Sequence, residues 1–332
     1  MADEQEAVLE PEPTIEDSGI DEDSNESSTA SLWSSILNFE KENGRTYHAF
    51  NRGKYLYPND EQEKERLDVI HMLWNQTLEG RLALCPANAS STRVLDAGTG
   101  TGVWGIDYAD LHPEAEVLGV DLSPIQPPFV PPNCTFMIDD LEHTWTWTKP
   151  FDFIFARGMI GSFREPQDFV KEAFKNLRPN GYLELQDNTF PLGCDDGTLQ
   201  GTRLKEWTSH MITAADRAKR SISVANRFQQ MMEDEGFVDI VVTRKKWPTN
   251  PWTRDKKYKE LGAWALLGLQ DDLDAISMAL FTRELGWSSN ETTVYLAEVR
   301  KDLQNRSIHA YWPVYIVYGR KPDDGLSVLN GQ

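Results

Sequence analysis

The chain has 332 residues, 39% hydrophobic and 11% aromatic, enough apolar side chain for a sizeable buried core in one large domain or two small ones. Its net charge of −20 argues against non-specific binding to a nucleic-acid backbone, and the local basic runs "RKKW" (244–247) and "RDKKYK" (254–259) read as a solvated face. No stretch approaches about eighteen apolar residues, and the amino terminus lacks a basic-then-apolar leader. Neither a membrane span nor secretion is expected, and the expected location is cytoplasm or nucleus.

Residues 1–30 hold eleven Asp and Glu and no Lys or Arg, which is −11 of the total, so a disordered acidic tail is expected there. Residues 31–42 read as a short amphipathic helix and "GRTYHAFNRGKYLYPND" (44–60) as an aromatic-rich loop. In 60–78, Leu67, Ile70, Leu73, Trp74 and Leu78 fall at helical spacing behind Asp60, a suitable N-cap. Together, 31–90 form an N-terminal, lid-like helical segment ahead of a main domain spanning 91–320, with 321–332 as a C-terminal tail.

From residue 93 strands and helices alternate. "RVLDA" (93–97), "AEVLGVD" (115–121), "CTFMID" (134–139) and "FDFIFA" (151–156) read as strands, and "GVWGIDYADLH" (102–112) and "EPQDFVKEAFKNL" (165–177) as helices. "GYLELQD" (181–187) reads as a strand introduced by the turn "RPNG". This alternation implies parallel strands joined by right-handed crossovers, hence a Rossmann-like, doubly wound, mostly parallel α/β sheet, expected to have seven strands. Beyond residue 200 the pattern is mostly helical, interrupted by "FVDIVV" (237–242) and closed by "HAYWPVYIVYGR" (309–320). A helical insertion over about 247–307, with a capping-box spacing at Ser288 and Glu291, is expected as a cap over one sheet edge.

The motif with chemistry in it is "VLDAGTGTGVWG". A dinucleotide fingerprint needs glycines at loop positions one, three and six; Gly98 and Gly100 match, but Val103 takes the sixth. A P-loop needs Lys followed by Ser or Thr, and neither is there. Asp96 precedes the first glycine, Asp121 ends the next strand, and Asp139 and Asp140 end the one after. Glycines at 98, 100 and 102 allow close approach of backbone to a ligand, and the following helix offers free N–H groups and its positive dipole end.

These residues resemble motif I and the following strand-end acids of the class I S-adenosylmethionine-dependent methyltransferases. The resemblance implies S-adenosyl-L-methionine as cofactor. Its amino-acid end would lie at Asp96, Gly98, Thr99, Gly100 and Gly102, its ribose at Asp121 beside Leu122, and its adenine at Asp139 and Asp140. Arg157, after "FDFIFA", would meet a carboxylate of cofactor or substrate or pair with a structural acid. A narrower resemblance runs through "ENGRTYHAFNRGKYLYPNDEQEKERLDVIHML", "VLGVDLSPIQPPFVPPNC", "RGMIGSF", "LRPNGYLELQD" and "LGWSSNET". It is to the fungal LaeA-like methyltransferases, which implies a link to secondary metabolism or development. It also implies partnership with a velvet-type or second methyltransferase-like protein.

Methyl transfer in line needs a base only when the acceptor must lose a proton. Tyr47 and His48 are the candidates for lid or acceptor-facing roles, with anchoring of the segment as the alternative. His143 and His210 are weaker candidates, and His309 reads as structural. The insertion would form the acceptor pocket. No metal is expected: Asp195 and Asp196 read as turn acids, and Cys85, Cys134 and Cys194 are too scattered for a zinc site or a disulfide framework. The rival to an enzyme is a cofactor-binding subunit that acts through protein contacts.

Overall fold

A computed structural model describes residues 36–270 and 272–323. The acidic stretch 1–30, residues 31–35 and the end of the C-terminal segment lie outside the described residues. The chain opens with a hairpin, β1 (Glu40–Glu42) and β2 (Arg45–Tyr47), followed by α1 (Glu61–Thr77). Residues 40–42 are therefore strand and not the end of an amphipathic helix, and 45–47 are not loop. The cause is Asn43-Gly44, whose positive φ values of 48° and 80° make the two-residue turn that matches strand twist. Asp60 caps α1 as expected, accepting from the Glu63 amide at 3.1 Å.

The main sheet contains β3 (Arg93–Ala97), β4 (Glu116–Asp121), β5 (Cys134–Ile138), β6 (Phe151–Arg157), β7 (Leu177–Asn188), β8 (Gly193–Cys194), β9 (Val238–Pro248) and β10 (Ala310–Arg320). Its long strands run in the order β5-β4-β3-β6-β7-β10-β9, and two-residue β8 pairs with the start of β10 on the side opposite β9. Strands β3 to β7 are parallel; β10 is antiparallel to both β7 and β9. Helix α2 (Val103–Leu111) joins β3 to β4, and α3 (Pro166–Asn176) joins β6 to β7. The chain leaves β3 toward β4 and β5, then returns to the other side of β3 for β6. This reversal opens a crevice at the carboxyl ends of β3, β4 and β6.

Strand β7 starts at Leu177, four residues earlier than expected. The "RPNG" kink survives as an irregularity inside the strand: the register shifts between Phe151 and Phe153, and Asn180 sits at φ 65°. Backbone bonds from Asn180 to Lys321 and from Lys321 to Gly181, 2.9 and 2.8 Å, tie this kink to the end of β10 and keep it in the sheet.

After β7 come α4 (Arg203–Arg217) and α5 (Phe228–Glu235), and between β9 and β10 lie α6 (Lys256–Gln270), α7 (Leu273–Glu284) and α8 (Ser289–Gln304). The capping box at Ser288 and Glu291 is present. Helix α6 packs on α1, and α7 and α8 pack on α4. One apolar cluster unites them, with Trp74, Trp207, Leu261, Phe281, Leu296 and Trp312 at its centre. A second runs under β6 and β7 against α3 and α5, and a third lies under α2, where Trp104 stacks 3.8 Å from Phe155.

Candidate active site

Asp96 ends β3 almost completely buried, 3% exposed, and accepts from the Thr99 hydroxyl at 2.5 Å. The loop after it turns through Gly98, Gly100 and Gly102 at φ 72°, 58° and 83°, a left-handed run that side-chain-bearing residues adopt only with strain. Asp121, ending β4, holds this loop: one oxygen accepts from the Gly100 amide and the other from the Ser123 amide, both at 2.9 Å. Gln126, in the proline-rich stretch that follows, donates to the Gly100 carbonyl at 2.6 Å.

These residues wall a cleft whose empty space, open mouth included, is about 1220 Å³. Asp96, Gly98, Thr99, Gly100, Asp121, Leu122, Asp139, Asp140 and Arg157 all border it. Gly102 does not. It caps α2, and a Cβ there would strike the Phe136 ring, so its requirement is packing and backbone conformation.

Burial dominates the electrostatics. It pushes the Asp96 carboxyl up to about 7, against the Thr99 hydroxyl and the Arg157 charge. It pushes Asp121 up to about 6, against three backbone N–H groups. Burial likewise pulls the Arg157 guanidinium down to about 9, against Asp96, Glu184 and Asp107. Arg157 is held by Gln186 at 2.8 Å and the Leu82 carbonyl at 2.9 Å, while its buried Nη1 has no partner. The cleft wall thus carries Asp96, an acid that charges reluctantly, and Arg157, a cation whose buried Nη1 is unpaired.

The two raised carboxyl values carry a testable sign. A folded-state value above the unfolded one means that the folded chain binds more protons between about pH 4 and pH 7, so these groups make stability fall as pH rises through that window. Urea unfolding of the ligand-free protein at pH 5 and pH 7.5 should show this fall, and Asp96→Asn should reduce it. An unchanged difference in the variant would show that Asp96 does not titrate there.

Tyr47 and His48 are not part of the wall, which corrects the expectation that they face lid or acceptor. They are 2% and 1% exposed, and the Tyr47 hydroxyl and His48 Nδ1 lack partners. Burial holds Tyr47 above its ordinary value and His48 below its own, so both stay neutral. They anchor the segment: Tyr47 lies under Arg283, and His48 Nε2 sits 3.4 Å from the Tyr55 amide. Packing of this kind is what two aromatic rings beside a hairpin achieve when the chain behind them folds over the sheet.

The segment reaches the cleft a few residues later, through Tyr55, Pro58 and Asn59, and then through one face of α1. Glu63, Leu67, Ile70, His71 and Trp74 of α1 all border it. His71 Nε2 lies 3.0 Å from Asp107 of α2, and Glu63 binds Arg66 through both oxygens, at 2.7 and 2.9 Å. Sequence reasoning assigned none of these residues. Their signal was that α1 carries apolar residues on more than one face, which implies two buried sides.

Helices α6 to α8 contribute no residue to the wall of this cleft; an acceptor pocket formed by them would lie outside it. Their apolar faces are spent on α1 and α4. His210 sits among Phe281, Trp287 and Tyr295, away from the cleft, and His309 pairs with Asp196 at 2.5 Å. Asp196 also accepts from the Thr198 amide at 3.1 Å and hydroxyl at 2.8 Å, the turn role expected of it. His143 stands at the rim, 3.5 Å from Asp140.

A methyltransferase-domain family profile matches residues 70–242. Methyltransferase pytC of Aspergillus terreus is 36% identical over 299 residues, which is 90% of this chain and 92% of the relative. The secondary metabolism regulator LAE1 of Cochliobolus heterostrophus is 38% identical, over 85% of this chain and 94% of the relative. The protein-methionine methyltransferase laeA of Emericella nidulans is 35% identical, over 86% and 77%. Among the described residues no helix is long and apolar enough to cross a membrane. With a glycine loop and strand-end acids around one cleft, and relatives more than a third identical along most of both chains, the chain belongs to the S-adenosylmethionine-dependent methyltransferases, in the group that includes the LaeA-like regulators of fungal secondary metabolism.

Proposed function

We propose that the cleft binds S-adenosylmethionine, with the ribose hydroxyls at Asp121, the adenine toward Asp139 and Asp140, and the amino-acid end at Asp96 and Arg157. The observation that carries this is the unpaired Arg157 Nη1 in the same cleft as the reluctant Asp96 carboxyl. Bound there, the cofactor supplies an electrophilic methyl group and a neutral thioether leaving group. The residues bordering the cleft then contribute alignment and exclusion of water, through α1 and the Tyr55 loop.

The acceptor is the open part of the reading. One relative is named a protein-methionine methyltransferase, and here the Met159 thioether lies over Gly98 on the cleft wall, where a Cβ on the glycine would collide with it. A thioether carries no proton, so its lone pair takes the methyl group and no base is required. This favours sulfur of a methionine, in this chain or a partner, over an oxygen acceptor that needs deprotonation. The resemblance to the LaeA-like group adds two further proposals, a place in cytoplasm or nucleus and contact with a velvet-type or methyltransferase-like protein.

The test is incubation of the pure protein with methyl-labelled S-adenosylmethionine, with and without fungal extract. Transfer of label to the chain itself that disappears in Met159→Leu is the expected result for the methionine reading. Label only in small molecules of the extract would replace it with a metabolite acceptor. Binding with no label anywhere would support a cofactor-responsive regulatory subunit.

A further inference from the structure

A buried arginine and a half-buried glutamate meet at the cleft: Glu142 borders it, and Arg220 stands behind. Arg220, between α4 and α5, is 2% exposed, and Glu142, beyond β5, is 17% exposed at its side chain. Arg220 donates to Glu142 at 3.1 Å through Nη2 and to the Ser162 carbonyl through Nη1. A buried ion pair is no better for stability than apolar residues of the same volume, so its presence asks for another reason.

The surroundings supply one. Glu142 also meets Lys54 at 3.3 Å, and Lys54 donates to Asp140, the acid at the adenine end. The same Asp140 oxygen accepts from Asn51 at 2.6 Å, and its other oxygen accepts from the Glu142 amide at 3.0 Å. Lys54 and Asn51 belong to the N-terminal segment over the cleft; Ser162 belongs to the loop 158–163 after β6, which carries Met159. One set of charged contacts therefore runs from the cover of the adenine end, across the end of β5, to the loop on the acceptor side.

We propose that Arg220 is a positioning residue that, through Glu142 and Lys54, makes closure of the N-terminal segment and ordering of the 158–163 loop a single event. The proposal rests on the cofactor reading above. Because Asp140 and Glu142 each bind partners from both sides, the cover cannot lift from Asp140 without withdrawing Lys54 from Glu142. That loss leaves Arg220, among the ion pairs of the described residues, as the remaining cation on Glu142; the guanidinium is then drawn toward Glu142 at the expense of its bond to the Ser162 carbonyl. Cofactor binding then orders the acceptor side before an acceptor arrives.

The test is hydrogen exchange on the full chain with and without S-adenosylhomocysteine. In the wild type, residues 48–57 and 158–163 should both exchange roughly tenfold more slowly with ligand, at the same ligand concentration. Lys54→Met removes a partly exposed link and should abolish the ligand-induced protection of both segments while the glycine loop 96–102 stays protected. Arg220→Met should do the same to 158–163, and Arg220→Lys should restore part of it. Should Arg220→Met fail to fold, Lys54→Met decides. Full protection of 158–163 in Lys54→Met would overturn the coupling. An absence of protection at 96–102 in the wild type would instead overturn the cofactor reading, and the coupling with it.

Discussion

Asp121→Ala is expected to weaken S-adenosylhomocysteine binding by about 1–3 kcal/mol, roughly fivefold to 150-fold, in a protein that still folds. Two losses add. The ribose loses a charged acceptor in a partly dry cleft, and the Gly100 and Ser123 amides lose the carboxylate that fixes the glycine loop against β4. Asp121→Asn keeps one acceptor oxygen and should fall between. Titration calorimetry on variants with an unchanged melting transition separates binding from folding; wild-type affinity in Asp121→Ala would remove this residue from the site. Gly100→Val serves as a companion. Space exists for its Cβ, with only Leu67 within 3.6 Å, so the damage should come from forcing a β-branched residue to φ 58°.

Trp207→Ala should have the largest effect on stability, a loss of about 3–5 kcal/mol. Trp207 is fully buried between Phe190 and Trp312, with ring centroids 5.6 and 6.0 Å away, and its indole N–H donates to Ser277 of α7 at 2.9 Å. It joins α4, β10 and the inserted helices in one cluster. Equilibrium urea unfolding should show the midpoint drop, and Trp207→Phe should recover much of it. Because α6 to α8 line none of the cleft, cofactor affinity of the folded fraction should barely change. A steep loss of affinity at full folding would mean that the insertion shapes the site after all.

These two variants also mark what could be read in the chain before it folded. The sheet side of the cleft was legible because it is built at strand ends: a residue that must present a carboxylate at the sheet's edge has to follow a short apolar run. Asp96, Asp121 and Asp140 each do so. Gly98 and Gly100 were legible for the same reason, as backbone requirements next to a strand. Gly102 looked equivalent, but its neighbour Phe136 comes from β5, and no local pattern shows which ring will lie against a glycine.

The covering half was not legible in the same way. The hairpin at 40–47 had a local signal, Asn43-Gly44, outweighed by the charged, helix-favouring residues of "EKE". The cleft-facing side of α1 had only a faint one, since Leu67 and Ile70 look the same whether they meet a cofactor cleft or a core. Tyr47 and His48 had the right residue types and the right neighbourhood. Their exclusion from the wall depends on where β2 docks, and that depends on Arg283, far away in sequence. The inserted helices lie between β9 and β10, but which surface they cover is decided by α1 and α4.

On the reading proposed above, the glycine loop between β3 and α2 holds S-adenosylmethionine and not a dinucleotide, the alternative that Val103 disfavours at the sixth loop position. Titration calorimetry of the full chain with S-adenosylhomocysteine and, separately, with NADH tests it most directly. One-to-one binding of S-adenosylhomocysteine, lost or sharply weakened in Asp121→Ala, is expected, with no heat of binding for NADH. Saturable binding of NADH with none of S-adenosylhomocysteine would contradict it.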